Sequence, residues 1–243
     1  MALLDAYNRG PESVVGEDTW DLFATIEEAF SVDLGDYHKL IGVTVSELVE
    51  QIHEKAEYPA SEKCLSSVSF YRLRRTLETQ FQIQRSAVRI DTSVDRLFPW
   101  ISRRRQWVTL QECLGLKVPA LRYPGWLLYL ALATSAVFAL SLKALFGQRI
   151  SLMGVIGISL ISCLPIILAF TPFGRALPEG CQTIGGLTRV ILSYNFGALA
   201  SAYGSSPNEN TLLSLRLIIA TEIGLKIEQV AANTRIPGDL NIE

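Results

Sequence analysis

Two segments of this chain are apolar on every side. Residues 125–147 carry no charge before Lys143, and residues 150–174 carry none at all. As a helix, each is long enough to cross a bilayer core of ~30 Å at ~1.5 Å per residue. Neither segment has a polar face to turn towards water. The pattern therefore predicts a transmembrane helical hairpin, and the alternative is a buried helical hairpin of a water-soluble protein.

The charges around the two apolar segments predict the orientation of the hairpin. Seven basic residues lie near the outer ends of the two spans, against Lys143 near the end of the first span and Arg149 in the turn between them. This bias places both termini in the cytoplasm, in an inner (cytoplasmic) membrane crossed twice. No acidic residue lies in either span, which disfavours an ion path. The predicted membrane interface consists of Arg103, Arg104, Arg105, Lys117, Arg122, Tyr123 and Trp126.

The remaining apolar residues follow the spacing of amphipathic helices, so the fold class is all-α. Residues 17–31 place Trp20 and Phe23 at helical spacing, with Asp18 or Thr19 as the predicted N-cap. Residues 44–56 form a second such helix. Thr44 and Glu47 open it with the spacing of a capping box.

Two later segments, 72–97 and 215–240, resemble one another. They align at an offset of 142 residues, with apolar or hydroxyl side chains in the same places. The matched pairs are Leu73 with Leu215, Leu77 with Ile219, Phe81 with Ile223, Ile83 with Leu225, Val88 with Val230, and Thr92 with Thr234. An internal repeat predicts two related bundles in one chain.

Composition offers little support for catalysis. The chain has no glycine-rich phosphate loop, no nucleophile elbow and no metal-ligand spacing, and its four cysteines form no CxxC pair. We therefore expect no enzyme activity, no cofactor and no metal. The arginines at 103–105 lack the aromatic interleaving of a nucleic-acid surface, and the positive-inside bias already explains them.

Three sequence stretches resemble the acyl carrier proteins, a family of small four-helix bundles. "IIATEIGLKIEQVAANTRIPGDLNIE" (218–243) resembles the first helix and loop, "GEDTWDLFATIEEAFSVDL" (16–34) the second helix, and "TVSELVEQI" (44–52) the last. The resemblance implies one carrier-like bundle in permuted order, in which 211–243 completes 14–56. That completion occurs within one chain or by swapping 211–243 between two chains, which would give a homo-oligomer.

The second repeat copy is completed in the same way. "RRRQWVTLQECLGLKVP" (103–119) resembles the second helix of a carrier and "LPEGCQTIGGLTRVIL" (177–192) the last. The resemblance implies a second bundle from 69–122 and 176–204, after a linker at 57–68. The transmembrane helices at 125–147 and 150–174 would then be an insertion in this bundle, as loops tolerate.

In acyl carrier proteins a serine at the start of the second helix carries phosphopantetheine. Thr19 aligns with it here, and Ser102, beside three arginines, is the weaker match in the second bundle. Both positions look degenerate, so the resemblance implies no prosthetic group. We expect a non-enzymatic inner-membrane protein whose carrier-like domains dock partner proteins, as a scaffold or as an accessory subunit of a membrane complex. The alternatives are a membrane-tethered acyl carrier modified with phosphopantetheine, and a small transport or signalling protein.

Overall fold

A computed structural model describes residues 17–56, 58–59, 64–122, 126–146, 154, 157, 175–204 and 209–240. Over these residues the chain is helical and contains no β-strand, which confirms the all-α prediction. The α-helices are α1 (Glu17–Phe30), α2 (Val45–Lys55), α3 (Leu65–Phe81), α4 (Val94–Leu97), α5 (Arg103–Leu114), α6 (Trp126–Phe146), α7 (Ile184–Tyr194), α8 (Phe196–Tyr203) and α9 (Glu209–Ile223). Short 3-10 helices lie at Tyr37–Leu40, Arg85–Ala87 and Ile227–Gln229.

Hydroxyl side chains begin α2 and α7. The predicted capping box of α2 is confirmed: the Thr44 side chain accepts from the Glu47 amide, and the Glu47 carboxylate accepts from the Thr44 amide. Thr183 begins α7 by accepting from the Gly186 amide at 3.1 Å. The predicted N-cap of α1 is wrong, because Glu17 is already helical and both Asp18 and Thr19 lie within the helix.

Helix α7 lies at the centre of the main unit of the fold. All of its residues except Gly186 and Arg189 are buried. It packs against α1, α3, α8 and α9. The described residues of 1–119 and 178–243 form one compact unit. The helices predicted for the two bundles therefore share one core.

The two halves of this core repeat the same backbone contacts. In each half, the loop after the first helix pairs with the start of the last helix through one antiparallel bridge, Thr44 with Arg235 and Ser93 with Thr183. The flanking backbone hydrogen bonds also match in pairs. The Val45 amide donates to the Thr234 carbonyl at 3.0 Å, as the Ile184 amide donates to the Thr92 carbonyl at 2.9 Å. The Ser46 amide donates to the Ala232 carbonyl at 2.9 Å, as the Gly185 amide donates to the Ile90 carbonyl at 2.9 Å. The C-terminal segment thus packs on α2, in this chain, as 65–97 packs on α7.

An arginine holds the loop in both halves as well. Arg216 on α9 donates from Nη2 to the Ile227 carbonyl at 3.0 Å, and Arg74 on α3 donates from Nη2 to the Arg85 carbonyl at 2.6 Å. These residues occupy equivalent places in the aligned segments. The repeat seen in the sequence therefore extends to the contacts that fix each loop.

The described residues of 120–177 form a second compact unit, which includes α6. The side chains of α6 are described over 129–138 and 140–144. The apolar side chains among them are largely exposed, with Tyr129 at 75%. Counted over the described residues, no helix is both long and apolar enough to cross a membrane. The second predicted span, 150–174, lies outside the described residues except for Gly154 and Gly157.

Candidate functional site

Thr19, which the sequence resemblance aligns with the modified serine of an acyl carrier, lies in α1, two residues after Glu17. Its side chain is fully buried, with 0% exposure. Among the described residues, its Oγ1 has no hydrogen-bond partner. A transferase acts on an exposed hydroxyl, and the hydroxyl of Thr19 is not displayed at the surface.

The register of α1 against α5 identifies the equivalent position in the second half. Each helix is followed by one residue in the left-handed conformation, Ser31 (φ 54°) after α1 and Gly115 (φ 60°) after α5. Counting back from these residues matches buried side chains with buried side chains: Phe23 with Trp107, Ile26 with Leu110, and Phe30 with Leu114. In this register Arg103 takes the place of Thr19, and Ser102 takes the place of Asp18.

Arg103 is only 2% exposed, which corrects its prediction as a membrane-interface residue. Its guanidinium pairs with the Asp95 carboxylate, and its Nε donates to the Phe98 carbonyl at 2.9 Å. The same group lies 5.6 Å from the centre of the Trp100 ring, at cation–π distance. A buried cation needs such partners. Arg103 therefore fixes the entry to α5.

Ser102 immediately precedes α5 and is half-buried. Its hydroxyl donates to the Gln106 side-chain oxygen at 2.9 Å. The arginines that follow it differ: Arg103 is buried, whereas Arg104 and Arg105 are exposed. The weaker predicted attachment position is thus engaged in a local hydrogen bond beside exposed positive charge.

Lys117 is also bound within the protein, which corrects its prediction as an interface residue. Its ammonium pairs with Glu28 of α1 and lies 5.8 Å from the Tyr194 ring centre. Its backbone exchanges two hydrogen bonds of 2.8 Å with the Asn195 side chain. These contacts link the end of α5 to α1 and α7.

The other predicted interface residues lie near the start of α6. Arg122 is half-buried and pairs through its backbone with Ala176, at 2.9 and 3.0 Å. Tyr123 lies outside the described residues, and so does the side chain of Trp126. Of the predicted set, Arg104 and Arg105 are the two described side chains that are exposed.

Cys64 is a chemically distinctive residue that the sequence did not single out. It precedes α3 as its N-cap, is exposed, and places Sγ 3.0 Å from the Ser66 hydroxyl. The hydrogen bond to the Ser66 side chain, reinforced by the backbone amide of Ser67, lowers the pKa of Cys64 to about 7. By contrast, burial raises the pKa of Cys181 to about 12. A cysteine two residues before a pair of serines, at a helix start, was the available signal.

The described residues contain no group of three or more His, Cys, Asp or Glu side chains that could hold a metal ion. Comparison of the chain with protein families, with curated proteins and with solved structures finds no match. The resemblance to acyl carrier proteins consequently rests on the sequence motifs.

Replacing Thr19 with valine tests the state of its hydroxyl. A buried hydroxyl without a partner costs about 1–3 kcal/mol, and Thr19→Val removes it while keeping the shape of the side chain. We expect the free energy of unfolding to rise by about 1 kcal/mol, measured by denaturant titration in mild detergent. Thr19→Ser, which instead removes a buried methyl, should lower it by about 1 kcal/mol. A loss of stability in Thr19→Val would mean that the hydroxyl has a partner.

The thiol of Cys64 should react at neutral pH. Because its pKa is lowered to about 7, we expect its alkylation rate by iodoacetamide to reach half of its maximum near pH 7. Ser66→Ala should move that midpoint to higher pH. Peptide mass spectrometry resolves Cys64 from Cys113, the other described exposed cysteine. A midpoint identical to that of the denatured chain would contradict the assigned hydrogen bond.

Proposed function

We propose that this protein is a non-enzymatic membrane protein whose helical unit is a docking scaffold, or an accessory subunit, of a membrane complex. The observation that carries the proposal is the buried threonine at the position of the carrier serine. The equivalent position in the second half holds Arg103, which is buried as well. On this proposal, a carrier-like arrangement of helices has been kept while the prosthetic chemistry has been lost.

The membrane anchor of the proposal rests on α6 and the sequence around it. Its exposed side chains include Val137, Phe138 and Leu140, and leaving such side chains in water costs about 25 cal/mol per Å² of apolar surface. Contact with lipid would remove that cost. In the proposal, 125–147 and 150–174 form the hairpin, with both termini on the cytoplasmic side as the positive-inside bias predicts.

The docking role is supported by the opposite charges of two equivalent helices. Asp18 and Asp21 are exposed on α1, whereas Arg104 and Arg105 are exposed on α5. In the register set by Ser31 and Gly115, Asp21 and Arg105 occupy the same position. Surfaces of opposite charge select different partners. In the proposal, the acidic surface of α1 docks a protein component, and the basic surface of α5 meets a different, anionic binding partner.

Treatment with a phosphopantetheinyl transferase and coenzyme A tests the loss of the prosthetic group. We expect the intact mass of the purified chain to stay unchanged, because the Thr19 hydroxyl is buried. Thr19→Ser should also stay unmodified, since that position remains inside the core. An acyl carrier protein in the same tube, gaining one phosphopantetheine, controls for an active transferase. An adduct on Thr19 or Ser102 of the native chain would instead support a membrane-tethered acyl carrier.

A further inference from the structure

The loop before α5 and the first two turns of that helix expose apolar side chains. Ile101 is 85% exposed, more than any other described large hydrophobic residue. Trp100 beside it is 38% exposed, and Val108, two turns into α5, is 53% exposed. Large apolar groups left in water mark a surface that contacts something else. We call residues 98–108 the α5 entry surface.

The α5 entry surface is held in place by the core beneath it. Phe98 is buried, with its ring 5.4 Å from that of Phe81 and 5.7 Å from that of Trp107. Arg103 donates to the Phe98 carbonyl, and the Ser102 amide donates to the Pro99 carbonyl at 3.1 Å. Because both ends of the loop are fixed, Ile101 is presented outward on a defined frame.

The charge of the α5 entry surface is positive. Residues 96–111 contain four arginines and no acidic residue. Arg103 is paired with Asp95, and the side chains of Arg96, Arg104 and Arg105 are exposed. An apolar tip surrounded by exposed arginines matches the boundary of an anionic bilayer. There the hydrocarbon accepts the apolar groups, the interface accepts a tryptophan ring, and the lipid phosphates accept the guanidinium groups.

We propose that the α5 entry surface binds the surface of an anionic lipid bilayer, with Ile101 and Trp100 at headgroup depth and Arg105 on the lipid phosphates. The inference deepens the proposed function, on which it rests for a protein located at a membrane. In the chain, α5 ends at Leu114 and the apolar helix α6 begins at Trp126, so the two membrane contacts are consecutive. The occupant is lipid, and a protein partner is the competing outcome.

Hydroxyl-radical footprinting of the full chain in nanodiscs tests this surface. One set of discs contains phosphatidylcholine alone, and the other contains a mixture of phosphatidylcholine and phosphatidylglycerol. We expect oxidation of Trp100 and Ile101 to fall at least threefold in the anionic discs. Tyr71, exposed on α3, should be oxidised equally in both. Equal oxidation of Trp100 in the two kinds of disc would overturn the inference and leave a protein partner as the occupant.

Matched variants separate lipid contact from a change in folding. Ile101→Glu and Arg105→Glu should each abolish the protection of Trp100. The first replaces the exposed apolar side chain with a carboxylate, and the second removes a basic residue, each of which contributes roughly fivefold to binding at an anionic surface. Tyr71→Glu and Arg75→Glu introduce the same changes of charge on the exposed face of α3 and should leave the protection of Trp100 intact. Protection that survives both entry-surface variants would contradict the inference.

Alkaline carbonate extraction distinguishes failure of the inference from failure of the proposed function. A chain released by carbonate would contradict the proposed transmembrane anchor. The released chain would then be floated with vesicles of the same two lipid mixtures. Binding to the anionic vesicles alone, lost in Arg105→Glu, would support the inference independently of the anchor. Failure to bind either mixture would overturn it.

Discussion

The burial of helix α7 is the constraint on which the rest of the main unit depends. An eleven-residue helix that hides almost its whole circumference needs neighbours on every side. It obtains them from both repeats, because α3 and α9, the equivalent first helices of the two halves, both pack on it. The Tyr194 hydroxyl at its end donates to Glu222 of α9 at 2.6 Å. A helix that belongs to one half thus organises the other half as well.

The equivalent helices α1 and α5 have the same pattern of buried positions but different side-chain chemistry at one of them. Both end in a left-handed residue and both bury aromatic or aliphatic side chains at the same steps. At the first buried step, however, Thr19 presents a small hydroxyl and Arg103 a paired cation. At this place packing constrains the burial of the side chain more than it constrains its size or its chemistry. Conserved burial with changed chemistry is what the proposed function expects, since it holds that the helical arrangement was kept and the prosthetic group was lost.

The sequence was a sound guide wherever the determining interaction is local. The capping box of Thr44 and Glu47 spans four residues, so its spacing was enough to predict the start of α2. The repeat was also visible, because matched apolar residues in 72–97 and 215–240 recur in the same order. The N-cap of α1 was predicted wrongly because Asp18 and Thr19 are both good caps, and local preference does not reveal where a helix begins in the packed core.

Burial was the property that sequence patterns could not supply. The tripeptide at 103–105 looks uniform, yet only its first arginine is buried. Arg103 lies on the same face of α5 as the buried Leu110 and Leu114. Lys117 was equally ambiguous: its pairing with Glu28 joins residues far apart in the chain. Such contacts depend on tertiary placement, which no short window of sequence contains.

Native-state hydrogen exchange tests the shared core most directly. The amides of Val45 and Ile184 occupy equivalent places in the two halves, bonded to the carbonyls of Thr234 and Thr92. If both halves depend on α7, we expect the two amides to exchange with the same free energy of opening and the same dependence on denaturant, as one cooperative unit. Two clearly different opening free energies would show that the halves unfold separately, and would contradict a single core organised by α7.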